Sequence, residues 1–98
     1  MLTRFQQIDS LQGLREYVNT TICEQYQLQI GAFRMTEKAL LRSGKPCGVY
    51  FCLHGPRLTR FTAIWETEQN QILFYGSQGE RFLKVQLHAS PRLESAAA

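Results

Sequence analysis

The stretch from Pro46 to Gly76, PCGVYFCLHGPRLTRFTAIWETEQNQILFYG, restricts the fold more than any other part of the chain. Val49 to His54 is a continuous run of branched, aromatic and aliphatic residues, closed by Pro46 and Gly48 before it and by Gly55 and Pro56 after it. Such residues fit a pleated surface, and Pro and Gly punctuate both ends, so the run reads as a strand. Gly55-Pro56-Arg57-Leu58 has turn chemistry, because Gly tolerates positive φ and Pro holds its own φ near a turn value. Beyond it Phe61, Ala63 and Trp65 alternate with Arg60, Thr62, Ile64 and Glu66. A polar break, Thr67-Glu68-Gln69-Asn70, precedes a third alternation with Ile72 and Phe74 on one side and Leu73 and Tyr75 on the other. Three antiparallel strands on short links follow from this pattern.

Alternation also assigns faces, since successive strand side chains point in opposite directions. Cys47, Val49, Phe51 and Leu53 fall on one face and are expected in the core. Tyr50, Cys52 and His54 fall on the other, with Ile64, Leu73 and Tyr75 from the neighbouring strands. A sheet wetted on one side should alternate cleanly between apolar and polar. This second face does not, so it is expected to be covered by another part of the chain, a second copy or a ligand.

The chain around this sheet offers one amphipathic helix. Asp9 is placed to cap its first turn, with Gln12 three residues on as in a capping box. Leu11, Leu14, Val18 and Ile22 then recur at helical spacing, which predicts a helix over 9–26. Gly13 weakens it by roughly 1 kcal/mol against Ala. Leu28 and Ile30, alternating with glutamines, suggest a short strand. Residues 36–42 read as a strand feeding a Ser43–Pro46 turn, or as a short helix capped by Thr36; the hairpin is the more economical reading. Residues 80–87 read as a strand through Leu83, Val85 and Leu87, or as a helix behind Ser77 and Glu80.

The expected architecture is therefore α+β: an N-terminal amphipathic helix on a four- to five-stranded, mostly antiparallel meander. With 98 residues there is room for one core. We expect a single domain over residues 1–88 and a disordered tail over 89–98, where Pro91 and three terminal alanines offer little to bury. An apolar content of 44% excludes the disordered class. No apolar run is long enough to cross a membrane, and the first seven residues lack the apolar segment of a signal peptide, so a cytoplasmic protein without a membrane partner is expected. Cys23, Cys47 and Cys52 have no disulfide-scaffold spacing and read as small buried hydrophobes.

Few residues suggest chemistry. Cys52 and His54, two apart on a strand, share a face and can be read as a thiol or metal site. A zinc site needs three or four ligands, and no C-x-x-C or H-x-x-H spacing exists, so neither metal nor cofactor is expected. With only two histidines, no Ser-His-Asp set can be assembled, and no catalytic residue stands out. Gly76 to Glu80 holds two glycines but lacks the Lys and Ser/Thr of a phosphate loop. Arg57, Arg60, Arg81 and Lys84, together with Tyr50, Trp65 and Tyr75, can form the interleaved cationic and aromatic surface that binds single-stranded nucleic acid. The net charge of +3 permits this without requiring it. The first expectation is a non-enzymatic interaction or regulatory module acting through the second face as a homodimer or with another protein. Nucleic-acid binding is its alternative.

Overall fold

The computed structural model describes residues 2–88 and Pro91. Six strands and one helix run in the order β1 (Leu2–Gln6), α1 (Leu11–Tyr26), β2 (Met35–Arg42), β3 (Lys45–His54), β4 (Arg60–Glu66), β5 (Gln71–Tyr75) and β6 (Arg81–Leu87). They form one sheet, ordered β1-β6-β5-β4-β3-β2. Every pairing is antiparallel except that of β1, which lies parallel to β6. The α+β architecture stands, with six strands rather than four or five. The expected tail, residues 89–98, lies outside the described residues apart from Pro91, which is buried.

Residues 36–42 and 80–87 both resolve as strands. Each gains a full ladder of backbone hydrogen bonds against a neighbour already in the meander. Val49, Phe51 and Leu53 of β3, Phe61, Ala63 and Trp65 of β4, Ile72 and Phe74 of β5, and Leu83, Val85 and Leu87 of β6 pack with Leu11, Leu14, Val18 and Ile22 of α1 in one core. Burying a side chain of this kind contributes about 1.5–3 kcal/mol. That outweighs the penalty of Gly13 in the helix. Cys23 and Cys52 are buried, whereas Cys47 is half-buried.

Three local expectations are corrected. Helix α1 starts at Leu11 and is capped by Ser10, whose side chain accepts from Gly13 N; Asp9 lies one residue outside and stays exposed. Ile8 is 7% exposed, so anchoring it in the core carries the extended backbone one residue further before the helix begins. Gly13 belongs to this cap: a Cβ there would come within 3.3 Å of Ser10 Oγ. Second, Leu28 and Ile30 form no strand. Gln27 adopts a left-handed conformation at the helix end, and Leu28 N bonds back to Cys23 O at 2.8 Å, turning the chain in a Schellman-like closure. Third, Leu2–Gln6 forms a strand, although these residues carry no apolar alternation.

Candidate interaction face

Residues directly opposite one another on neighbouring strands share a face. One row on the side away from α1 reads Lys38, Tyr50, Ile64, Leu73, Lys84 and Thr3, from β2 across to β1. A second reads Thr36, Cys52, Thr62, Tyr75 and Arg81, with an irregularity between Phe74 and Tyr75 where β5 meets β6. His54 stands opposite Arg60 in the next position along β3 and β4. The sheet thus brings Tyr50, Cys52, His54, Ile64, Leu73 and Tyr75 onto one surface, and among the described residues no second helix lies over it.

The surface is apolar at its centre and cationic towards its margins. Lys38, Arg60 and Arg81 are exposed and Lys84 is half-buried. One carboxylate accompanies them, Glu66, and its Oε1 accepts from Gln69 N at 3.2 Å in the β4–β5 turn. Elsewhere, acidic groups engage cations away from this face: Arg15 bonds Glu37 at 2.9 Å beside the helix, and Arg42 reaches Glu68 at 3.3 Å. Gln71 Oε1, in the row that joins Glu66 and Gln86, is buried without a hydrogen-bond partner.

The four cations expected from sequence do not all share this surface. Arg60, Arg81 and Lys84 do; Arg57 sits beyond it, in the tight turn Pro56–Leu58. Trp65 does not join them either. It is 1% exposed in the core, where its Nε1 donates to Asn70 Oδ1 at 3.1 Å. Lys38 is a member that sequence reasoning missed, because its face follows only from the pairing of Ala39 with Val49.

Cys52 and His54 share the face, as their spacing requires. His54 Nε2 lies 3.0 Å from Thr36 Oγ1, which ties the ring to β2. Among the described residues, no group of three or more His, Cys, Asp or Glu is placed to hold a metal ion. Burial raises the Cys23 thiol above its ordinary range, and burial, aided by Glu80, does the same for the Tyr26 phenol. Both belong to the helix-side packing, Tyr26 against Phe61 and Phe82. Compared with protein-family models, curated proteins and solved structures, the chain matches none. No helix among the described residues is long and apolar enough to cross a membrane.

Proposed function

We propose that this domain is a non-enzymatic binding module whose open sheet face takes single-stranded nucleic acid. The observation that carries this reading is the composition of that face. Lys38, Arg60, Arg81 and Lys84 stand against the single carboxylate of Glu66, with Tyr50 and Tyr75 between them. Strand spacing puts the two tyrosines about 12 Å apart on β3 and β5, far enough for each ring to take its own base. Bases stack on aromatic rings regardless of sequence while cations follow the phosphates. A cytoplasmic setting suits the three unpaired cysteines.

A second copy of the chain is the other reading, favoured by the apolar row Tyr50, Ile64 and Leu73. Two quantities weigh against it. The six strands give a flat footprint of roughly 29 by 20 Å, or about 600 Å², where a stable interface buries about 800 Å² per partner. A two-fold pairing of this face would also bring two sets of four cations together against two carboxylates.

Fluorescence anisotropy with a labelled oligothymidylate tests the proposal. Four phosphate contacts give a slope of about −2.8 in log affinity against log salt, hence a loss of about fifty-fold between 50 and 200 mM. Replacing Arg60 and Arg81 by Ala should halve that slope. Oligonucleotide binding that ignores salt and both substitutions would overturn the reading. A dimer in light scattering that takes up no oligonucleotide would transfer the face to self-association.

A further inference from the structure

At the β3–β4 end of the sheet a cavity of about 460 Å³ is lined by Arg34, His54, Gly55, Leu58, Thr59 and Arg60. Its lining holds two guanidinium groups and an imidazole and no carboxylate. Arg57 projects from the same turn, and none of Arg34, Arg57 and Arg60 forms an ion pair with an acidic side chain among the described residues. The volume lies in the range of small-molecule sites and exceeds what a bare anion requires.

The walls are held in place. Gly55 N bonds Thr59 O at 2.9 Å, and Thr59 closes the turn onto Pro56 O through its backbone N at 3.1 Å and its hydroxyl at 2.6 Å. Arg57 and Leu58 both sit in the left-handed region, at φ 58° and 61°, a conformation that disfavours any residue with a Cβ. The turn thereby holds Leu58 98% exposed at the cavity mouth, where an apolar side chain has no packing role within the chain. His54 is fixed through Nε2 to Thr36 Oγ1. Nδ1, the other ring nitrogen, is left for a ligand.

We infer that this cavity is a terminal-phosphate site: it holds the phosphomonoester of the end nucleotide of a strand lying on the open face. The inference rests on the nucleic-acid reading above, and it adds a strand end and a subsite for its phosphate. His54 and Arg60 belong to both the face and the cavity, so the two are continuous. Arg34 and Arg60 bind the phosphate oxygens, with His54 Nδ1 as third donor. Leu58 offers the terminal base or sugar an apolar contact, and the turn that carries it blocks continuation of the strand. A monoester suits the site better than a diester, because its extra charge and third free oxygen match three donors.

The experiment compares oligothymidylates of one length bearing a 5′-phosphate, a 3′-phosphate or hydroxyls at both ends, by competition anisotropy. One phosphorylated end should bind at least about tenfold more tightly than the hydroxyl form, the scale of hydrogen bonds to a charged group. Arg34→Ala should erase that advantage and bring the phosphorylated and hydroxyl forms to equal affinity, since Arg34 lines the cavity. Equal affinity of all three oligonucleotides overturns the inference and leaves the binding face standing. If no oligonucleotide binds, the face proposal fails, and titration with thymidine 5′-monophosphate and with inorganic phosphate decides the cavity alone. NMR shifts of His54 that saturate with the mononucleotide and vanish in Arg34→Ala support a nucleotide site. Shifts with inorganic phosphate only, or none, overturn it.

Discussion

Replacement of Asn70 should separate the backbone and hydrogen-bonding contributions of one residue. Asn70 lies in the β4–β5 turn at φ 51°, a left-handed conformation that Asn tolerates better than most residues. Its Oδ1 accepts from the buried Trp65 indole at 3.1 Å, and its Nδ2 donates to Leu87 O at 3.4 Å. In Asn70→Ala the indole N–H, buried with no other partner, costs about 2 kcal/mol. The left-handed backbone adds about 1 kcal/mol. The Leu87 carbonyl adds about 0.5 kcal/mol, little because Gln86 Nε2 also lies within 3.4 Å of it. The expected loss is about 3.5 kcal/mol in Ala, about 2.5 in Gly, where the backbone penalty is removed, and about 0.5 in Asp, where only the bond to the Leu87 carbonyl is lost. Stability for a chain of this size is about 5–15 kcal/mol. The Ala variant should therefore melt about 15–25 °C lower. Urea unfolding followed by circular dichroism and by the emission of Trp65, the sole tryptophan, gives the order Asn, Asp, Gly, Ala. An Ala variant within about 1 kcal/mol of wild type, or one equal to Gly, would refute the reasoning.

Gly48→Ala should destabilise by about 3 kcal/mol, because the added Cβ would be forced against the Trp65 carbonyl oxygen and lie 3.2 Å from Glu66 Cα, both backbone atoms that cannot swing away. Thermal unfolding checks this, and a melting temperature within a degree or two of wild type would remove the packing argument. Tyr26 gives a pH signature. Its folded-state pKa is raised from 10.0 by burial first and by Glu80 second, so its contribution is complete below that value and lost as pH rises through the folded-state value. Urea unfolding should show stability falling in this alkaline window, and falling less in Tyr26→Phe; identical pH profiles would count against the assignment.

What could be read from the residues was what burial imprints on them. The alternation from Val49 to Tyr75 located β3, β4, β5 and the face of each side chain, since one side of every strand is sealed by α1. The same logic found Leu14, Val18 and Ile22 on the helix. β1 carries no such mark: Thr3, Arg4, Phe5 and Gln6 are all exposed, and its place is set by backbone bonds to β6 that any sequence can make. The start of α1 was displaced by one residue because Ile8, not the better capping pattern at Asp9, decides where the backbone can turn. The interaction face was legible in its central strands and not at β2, whose residues are mostly exposed. The cavity was not legible, because Arg34, His54 and Arg60 are separated in sequence and meet only through the β2–β3–β4 register.

The parallel pairing of β1 with β6 has a temporal consequence. Leu2 is registered with Leu83, so the first strand of this sheet in chain order pairs with the one that follows all the others. The four consecutive hairpins β2–β3, β3–β4, β4–β5 and β5–β6 can each close as soon as they emerge. β1 must wait on the order of 5–15 s at ordinary rates of synthesis. Joining ends so far apart carries a chain-entropy penalty of about 4 kcal/mol, which the preformed edge of β6 and the docking of α1 must offset together. Once β6 has emerged and until β1 docks, the outer edge of β6 is open backbone that another chain's strand could pair with.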